Sequence, residues 1–509
     1  MMRNMKYKLF FASIISAVVI YGCAKKWDNH DQATDNNITI NLFQAISKTA
    51  NTTIFSGYLQ KTGYDKLLAG SKTYTVWVPT DAALASMDPA VVADSTKLSQ
   101  FVLNHISNQM YPAAAGAADQ RIGMLNGKYI LLSGLKFDSA NITTANQYAK
   151  NGLFHIIDKF IPRTNNIWEF INATSAAPLM KTYMLSLNYN FFDSTKATQI
   201  GVNPTTGSPI YQSGTGIVPK NIFLNGNTTT AAVMDVSDET NLYTMFVLND
   251  NSFTTELNKL TPWFKTSTTD STNKLASAYL IKDLAFKGSY APTALPDTLV
   301  SQYGVKVPIN KSAIVSATKT SNGWVYVMNQ VSFNLNYKFP SILVQGELPS
   351  AFSSTSSYFI GQTFYRVRHN PNDSVNANST FKDILIANAG LANFWVQYNV
   401  PNVPSMRYNA YWVAVNDYQT VPWTQKLALD SSTNPTYFPT YKTLDSLNKR
   451  IKLPTRPDST LKTYYEVPLG QFPVANFRTL KLFVVSGSAA STTSGAQLSL
   501  DYIRLEPAF

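Results

Sequence analysis

A short apolar run followed by a polar helix start occurs twice in the chain. Residues 74–84 read YTVWVPTDAAL and residues 243–253 read YTMFVLNDNSF. The first five residues of each run are typical of a buried strand, because β-branched and aromatic side chains suit a pleated, packed surface. Thr80 and Asn249 then have side chains that cap helices, and Asp81 favours the first helical turn through the helix dipole. The pattern predicts a strand–turn–helix unit in both places.

A second strand signal follows each unit at a similar distance. Residues 151–158 read NGLFHIID and residues 322–329 read NGWVYVMN, and in both an Asn-Gly turn signal precedes an apolar run. Between the two signals of the first copy, residues 98–106 place apolar side chains at helical spacing. The same two signals in the same order predict an internal repeat, and therefore two copies of one kind of domain.

The first copy resembles the fasciclin domain, whose signatures have the forms TVFAPTDAAF and NGVIHVID.VL.P. Here they read TVWVPTDAAL and NGLFHIIDKFIP, and the NHI of residues 104–106 is similar to the intervening helix motif of that family. The resemblance marks these residues as motif positions: Thr80, Asp81, His105, Asn151, Gly152, His155 and Asp158. It implies an α+β domain with a role in adhesion or binding, no cofactor and, as a rule, no catalysis.

The second copy departs from that pattern. Leu248 and Asn249 replace Pro-Thr, Tyr326 replaces the histidine and Asn329 replaces the aspartate. The stretch 193–240 has no counterpart in the first copy and is rich in Thr, Asn and Gly, which predicts a surface insertion. We therefore expect a divergent fasciclin-like domain.

The last third of the chain has a different pattern. Short apolar or alternating runs recur between Pro, Gly, Asn and Ser residues, as in residues 394–400, 411–418, 463–469 and 479–486, which predicts a β-sandwich. The closing LSLDYIRLEP of residues 498–507 resembles the last strand of jelly-roll carbohydrate-binding modules and related galactose-binding-like domains. The predicted architecture is multidomain: two α+β fasciclin-like domains followed by an all-β jelly-roll-like sandwich.

The beginning of the chain predicts export. Basic residues precede an uncharged run at residues 9–20, which is too short to span a bilayer. Cys23, the single cysteine, follows directly behind Gly22 and resembles a bacterial lipoprotein cleavage site, which implies a lipidated N-terminus. The alternative is an ordinary signal peptide followed by a buried cysteine. The expected segments are a lipoprotein signal peptide (1–22), a lipid-anchored tether (23–38), the two fasciclin-like domains (39–164 and 165–335) and the sandwich (336–509).

Composition narrows the range of functions. Charged residues make up 14% of the chain against about 25% in typical soluble proteins, and the formal net charge is +12. The basic residues are scattered, so no nucleic-acid partner is expected. A single cysteine excludes a disulfide within the chain and a cysteine-based zinc site. His105 and His155 lie on apolar elements, and we interpret both as hydrogen-bonded core residues that bind no metal.

Two kinds of ligand chemistry remain for the sandwich. Sugars stack their C–H faces on aromatic rings, and the candidates are Trp395, Trp412, Tyr418 and Trp423. Trp395 and Trp412 lie in strand-like runs, so at least one is expected in the core, whereas Tyr418 and Trp423 flank a Thr-Val-Pro loop and are expected to be exposed. A glycosidase would instead need two carboxyl groups about 5–9 Å apart. Asp417, Glu466 and Asp501 are candidates, but nothing in the sequence brings two of them to that distance. We therefore expect no enzyme.

A three-residue pattern, Asp followed by Ser or Thr and then a small or apolar residue or Thr, resembles the O-glycosylation signal of exported Bacteroidota proteins. The implied acceptors are Ser95, Ser139, Ser194, Ser271, Thr298, Ser374, Ser446 and Ser459. Asp-Ser and Asp-Thr are also ordinary turn residues, so the same pattern is compatible with unmodified turns.

The sequence as a whole predicts a lipid-anchored outer-membrane protein of Bacteroidota type at the cell surface. It would bind a glycan without catalysis, as an accessory of a polysaccharide uptake system and in complex with an outer-membrane transporter. One alternative is an adhesion protein that contacts another protein or a matrix through its fasciclin-like domains. The other is a glycoside hydrolase or lyase that uses the C-terminal acids.

Overall fold

The computed structural model describes residues 36–369, 380–416, 422–433, 436–444, 466–487, 489 and 497–509. This part of the chain divides into two compact units. The first contains the chain up to residue 170 together with residues 236–242 and 319–323. The second contains residues 171–235, 243–318 and 324–509.

The first copy of the repeat forms a helical layer and one sheet. Its helices are α1 (Leu42–Lys48), α2 (Thr53–Thr62), α3 (Tyr64–Ala69), α4 (Asp81–Leu84), α5 (Pro89–Ala93) and α6 (Ser95–Leu103), after a 3-10 turn at Asn36–Thr39. Its strands are β1 (Tyr74–Pro79), β2 (Ile106–Ser107), β3 (Gln120–Gly123), β4 (Tyr129–Ser133), β5 (Lys136–Phe137), β6 (Ala140–Ala149) and β7 (Gly152–Ile157).

The two predicted strands of the first copy lie side by side. The sheet has the order β2-β1-β7-β6-β5-β4-β3, and β1 pairs with β7 in parallel, with Tyr74 opposite Gly152. All six residues of β1 are buried, so both faces of this strand are covered. One face meets the helices through a core that includes Val76, Val78 and Phe101, and the other meets a second core around Trp77 and Phe137. The expected α+β architecture is confirmed for this part of the chain.

The second copy repeats the central strands in a smaller sheet. Its helices are α7 (Ile167–Ala173), α8 (Pro178–Ser186), α9 (Ile222–Asn225), α10 (Asp250–Leu260), α11 (Thr269–Ile281) and α12 (Leu335–Lys338), with 3-10 turns at Thr261–Phe264, Pro292–Ala294 and Lys311–Ala313. Its strands are β8 (Asn188–Phe192), β9 (Gln199–Val202), β10 (Pro209–Tyr211), β11 (Ile217–Asn221), β12 (Tyr243–Leu248), β13 (Ala285–Lys287), β14 (Thr298–Val300), β15 (Lys306–Pro308), β16 (Ile314–Thr320) and β17 (Gly323–Met328). Four of them form a sheet in the order β13-β12-β17-β16.

The predicted insertion is only partly a surface feature. Residues 188–221 form a two-stranded ribbon in which β8 pairs with β11 and β9 pairs with β10, and apolar side chains such as Phe192, Ile200 and Ile217 are exposed on it. We call this segment the ribbon. The stretch after it is partly buried, through Phe223, Leu224, Met234 and Val236. The prediction of a surface insertion is therefore wrong at these positions, whereas residues 227–231 are exposed.

The C-terminal region is antiparallel and β-rich, as expected. It contains α13 (Ser357–Gly361) and the strands β18 (Ile342–Gln345), β19 (Ala351–Phe352), β20 (Thr363–His369), β21 (Thr380–Ile386), β22 (Trp395–Val403), β23 (Arg407–Val413), β24 (Trp423–Leu429), β25 (Lys442–Leu444), β26 (Val467–Pro473), β27 (Arg478–Ser486), β28 (Leu498–Leu500) and β29 (Tyr502–Ala508). They form sheets of order β18-β29-β23-β26, β19-β22-β27-β24-β25 and β20-β21-β28. Alternate residues of β22 and β23, such as Tyr398, Tyr408 and Trp412, point into the core.

Among the described residues, no helix combines the length and the apolar character that crossing a membrane requires.

Candidate functional site

The two strand–turn–helix units are fixed by matching caps. The Thr80 hydroxyl accepts a hydrogen bond from the backbone N–H of Ala83 at 3.2 Å, and the Asn249 side chain accepts one from Ser252 at 2.9 Å. Asp81 also accepts a hydrogen bond from the backbone N–H of Ile54 at 2.8 Å, in the first turn of α2, where the helix has no side-chain cap of its own. The motif residues of the turn thus stabilise the start of two helices.

Asn151 and Asn322 play the same structural role in the two copies. The Asn151 side chain accepts a hydrogen bond from the N–H of Leu42 at 2.8 Å and donates to two carbonyl oxygens, those of Leu68 and Gly70. The Asn322 side chain accepts one from Ile167 at 3.0 Å and donates to the carbonyls of Val236 and Asp238. Each buried carboxamide therefore joins the beginning of a helix to the loop that precedes a central strand.

The glycine after Asn151 is required by close packing. Gly152 begins β7 at φ +145°, and a Cβ atom there would lie 2.0 Å from the carbonyl oxygen of Tyr74. Gly323 begins β17 with the same φ of 145°. The Asn-Gly pair is thus the entry to a central strand, where the asparagine side chain holds the loop and the glycine admits the neighbouring backbone.

His105 and His155 are fully buried and use both ring nitrogens. His105 Nδ1 lies 2.9 Å from the Phe101 carbonyl, and its Nε2 accepts a hydrogen bond from the N–H of Ile161 at 3.1 Å. His155 Nε2 lies 3.0 Å from the Tyr111 carbonyl, and its Nδ1 accepts one from the N–H of Asn146. Burial lowers the pKa of each ring to about 4. Both side chains are neutral structural residues with no free nitrogen for a ligand.

The second copy replaces His155 by a residue that makes an equivalent contact. The Tyr326 hydroxyl donates to the carbonyl oxygen of Tyr290 at 2.7 Å, as His155 does to that of Tyr111. Thr75 and Thr244 also match, since their hydroxyls accept hydrogen bonds from the N–H groups of Tyr111 and Tyr290 respectively. These threonines follow the first tyrosine of each repeat, and the sequence comparison did not single them out.

Asp158 closes the far end of the β6–β7 pair. Its carboxylate accepts hydrogen bonds from the backbone N–H and the side-chain amide of Asn141, both at 2.7 Å. All seven motif residues of the first copy therefore serve to hold its fold, and the structure brings them together around β1 and β7, with no open site among them.

A buried ionic network in the first unit was not predicted. The Lys128 ammonium is almost fully buried and contacts the carboxylates of Glu169 at 2.7 Å and Glu239 at 2.5 Å. The Glu169 carboxylate also accepts a hydrogen bond from the Arg163 guanidinium. No sequence signal pairs residues so far apart, and only the tertiary structure places these charges side by side.

The predicted aromatic ligand residues of the sandwich have different environments. Trp412 is 0% exposed and Trp423 is 3% exposed, so both rings belong to the core. The expectation that Trp423 is exposed is wrong, because Trp423 begins strand β24 opposite Leu444 and faces inward with Leu427 and Leu429. Trp395 is half-buried at the start of β22. Tyr418, like Asp417, lies outside the described residues.

Trp395 lies on the outer face of the five-stranded sheet together with polar side chains. Its ring contacts Phe483 edge-to-face at 5.1 Å, while Gln397 and Asn399 continue the same row along β22. Lys481 on β27 lies opposite Asn399, whereas Lys426 on β24 lies opposite Val485, the β27 residue that faces Trp395. We call these residues the Trp395 face: Trp395, Gln397, Asn399, Lys426 and Lys481. The Lys426 ammonium also lies 4.9 Å from the centre of the Tyr441 ring.

The candidate catalytic acids do not form a pair. Glu466 accepts two hydrogen bonds from the Arg504 guanidinium at 2.7 Å and one from the Tyr502 hydroxyl at 3.0 Å, and the hydrogen bonds from Arg504 in particular lower its pKa. Asp501 is 8% exposed, and burial, together with the nearby charges of Asp383 and Glu347, raises its pKa to about 7. Glu466 is held in an ion pair on an outer face, whereas Asp501 lies in the interior.

Comparison with known proteins identifies one segment. The family model of the fasciclin domain matches residues 50–162. Residues 50–162 are a fasciclin domain. The matched range contains all seven motif positions of the first copy, so the expected resemblance of that copy is confirmed. No curated protein matches the chain.

Solved structures resemble the chain at low similarity. A FAS1 domain pair from the insect cell adhesion molecule Fasciclin I is 14% identical, with a TM-score of 0.22, and covers 57% of this chain and 100% of its own. The C-terminal CBM6 of LamC, a marine laminarinase from Zobellia galactanivorans, is 12% identical, with a TM-score of 0.19, over 33% of this chain and 98% of its own. A family 35 carbohydrate-binding module from Clostridium thermocellum is 11% identical, with a TM-score of 0.21, over 33% of this chain and 100% of its own. At these values the likenesses support no conclusion about function.

The modification candidates fall partly inside the described chain. Ser95 in the fasciclin domain is exposed, as are Ser139, Ser194, Ser271 and Thr298. In the fasciclin domain Asp94, which precedes Ser95, caps α6 through hydrogen bonds from Thr96 and Lys97, so this pattern also has a structural role. Cys23, Ser374, Ser446 and Ser459 lie outside the described residues.

Proposed function

We propose that this chain is a non-enzymatic binding protein of the cell surface that holds a glycan on the Trp395 face. The observation that supports this most directly is a half-buried indole in a row with two carboxamides, with Lys481 and Lys426 on the next two strands of the same face. An aromatic ring offers a flat apolar surface to the C–H face of a sugar, and neighbouring amide and ammonium groups can hydrogen-bond to its hydroxyls.

The Trp395 face is suited to a ligand that lies flat on a sheet. Trp395 is held from the side by Phe483 on the neighbouring strand, so its ring does not need to be ordered when a ligand binds. The side-chain amide of Gln397 donates to Asn399 at 2.7 Å, which holds these two groups in one orientation along β22. A preorganised surface of this kind lowers the entropy cost of binding one face of an extended chain.

The location and the partners in this proposal are inferred from the predicted signal peptide and from Cys23, which follows it. Lipidation of Cys23 would anchor the chain in the outer membrane, facing outward, without a membrane-spanning helix. A surface-anchored glycan binder would act as an accessory of a polysaccharide uptake system, beside an outer-membrane transporter. Metabolic labelling with a radioactive fatty acid tests the anchor, and an unlabelled protein with a free Cys23 thiol would contradict it.

Glycan retention tests the site. The chain from residue 24 is run through native gels that contain single polysaccharides, and Trp395→Ala is compared with Tyr148→Ala, which removes an exposed ring in the fasciclin domain. We expect at least one polysaccharide to retard the unmodified chain and the Tyr148 variant, and Trp395→Ala to lose most of that retardation. Equal retardation of both variants would refute the assignment to the Trp395 face, and release of sugar products would show an enzyme.

A second function is favoured by the fasciclin domain itself. The match at residues 50–162 supports adhesion to another protein or to a matrix through this part of the chain. Binding of the chain to whole cells or to matrix proteins that persists in Trp395→Ala, with no retardation by any polysaccharide, would favour adhesion over glycan binding.

A further inference from the structure

A cavity of about 480 Å³ lies beside helices α5 and α6 of the first unit. Its apolar wall includes Met87, Val91, Phe101 and Phe160. The two phenyl rings meet edge-to-face at 5.8 Å and close one side of it. This volume falls within the range of about 300–1,000 Å³ that is typical of small-molecule sites.

Helix α5 is held by polar contacts at both ends, and only its Val91 side chain packs against the core of the domain together with the neighbouring Met87. None of its five residues is fully buried, and Val91 is only half-buried. The Asp88 carboxylate caps the helix through the N–H of Ala90 at 2.8 Å. At the other end the Lys61 ammonium donates to the carbonyl oxygen of Val92 at 2.7 Å. Polar anchors thus fix the helix over an apolar space that its own side chains leave unfilled.

The polar part of the lining contains two cations and one acid, and each cation also contacts an acid outside the lining. Lys97 and Arg163 line the cavity, and Asp88 is the acid among the lining residues. The Lys97 ammonium has a long contact of 3.7 Å to Asp94, in which both side chains are largely exposed. Arg163 pairs with Glu169 through Nη2, but its Nε is buried and has no hydrogen-bond partner within the described chain. An unpaired guanidinium donor and a weakly paired ammonium favour an anionic group on the ligand.

We propose that this cavity binds a small amphipathic carboxylate, such as an unbranched fatty acid. Its apolar tail would lie against Met87, Val91 and Phe160, and its carboxylate would lie near Lys97 and Arg163. The wall formed by Met87, Val91, Phe101 and Phe160 favours an apolar tail over a sugar, whose hydroxyls would find no hydrogen-bond partners on that side. The site is therefore separate from the Trp395 face, and its function does not depend on glycan binding.

Calorimetric titration of the chain from residue 24 with dodecanoate tests the proposal. We expect saturable binding of one dodecanoate per chain and at least tenfold weaker binding of 1-dodecanol, which has the same tail and no charge. Val91→Trp fills the cavity and should weaken dodecanoate binding at least tenfold. Val92→Trp is the matched control, because Val92 is equally half-buried on the same helix but does not line the cavity, and its backbone carbonyl is retained.

A second variant tests the same cavity without changing the core of the domain. Lys97→Gln changes an exposed side chain, and it should lower dodecanoate affinity severalfold while leaving 1-dodecanol affinity unchanged. The proposal is refuted if dodecanoate gives no saturable heat, if Val91→Trp and Val92→Trp bind it equally well, or if the alcohol binds as tightly as the acid. Equal binding by the two tryptophan variants would point instead to an exposed apolar surface such as the ribbon.

Discussion

The two buried histidines of the fasciclin domain should make its stability fall in mild acid. Their pKa values are about 4 in the folded chain, against 6.5 for a free ring. Between these values the unfolded chain binds protons that the folded chain cannot accept, so the free energy of unfolding decreases as the pH falls. From about pH 7.5 to about pH 5 we expect a loss of about 2 kcal/mol per ring, or about 4 kcal/mol for both.

Hydrogen exchange measured by mass spectrometry can follow this loss locally. Peptides that cover β1 and β7 report the opening of the fasciclin-domain sheet, and their opening free energies are compared at the two pH values after correction for intrinsic exchange rates. The second copy of the repeat supplies a conservative replacement, because Tyr326 takes the place of His155 and keeps the contact to a carbonyl oxygen. His155→Tyr should therefore fold at neutral pH and show about half the pH dependence.

Two outcomes would refute this reasoning. The first is an opening free energy of the fasciclin-domain sheet that is unchanged between the two pH values. The second is a His155→Tyr variant whose pH dependence equals that of the unmodified chain, which would show that other groups carry the effect.

The remaining predictions concern the two asparagines and Asp501. Asn151→Ala removes three hydrogen bonds from a buried carboxamide and Asn322→Ala removes four. Urea titration should show a loss of about 2–4 kcal/mol for either variant, and a loss below about 1 kcal/mol would contradict the role assigned to these side chains. Because the pKa of Asp501 is raised to about 7, the folded chain retains a proton that the unfolded chain releases. The free energy of unfolding of the second unit should therefore fall by about 2–4 kcal/mol as the pH rises from about 4 to about 7. Asp501→Asn should abolish that decline, and a decline that persists in the variant would show that another group is responsible.

The sequence was most informative where one residue type solves a backbone problem. The helix cap (Thr80 or Asn249), the partner of a buried carbonyl (His155 or Tyr326) and the Asn-Gly pair recur in both copies, because each of these positions admits few side chains. The reason for the Asn-Gly pair was not visible in the sequence, since the partners of Asn151 lie 81–109 residues away along the chain. The local sequence pattern therefore predicts the strand, whereas the role of the Asn-Gly pair depends on tertiary contacts.

The sandwich was harder to predict because its interior is not purely apolar. Strand β24 reads WTQKLAL, and its inward positions are Trp423, Gln425, Leu427 and Leu429. Gln425 is 0% exposed and exchanges two hydrogen bonds with the backbone of Ser499, at 2.9 and 3.0 Å. A polar residue in the second inward position hides the alternation, so Trp423 resembles the end of a loop in the sequence while it is part of the core.

The ribbon of residues 188–221 is joined to the rest of the chain by a compact base. Asn221 is buried there, donates to the carbonyl of Met184 at 2.8 Å and to the side chain of Asn188, and caps α9. Because these hydrogen bonds lie at the junction, the segment between Asn188 and Asn221 can vary in length and composition while the domain beneath it keeps its structure. The ribbon is thus a place where loops from other proteins, or an epitope, can be grafted onto this scaffold.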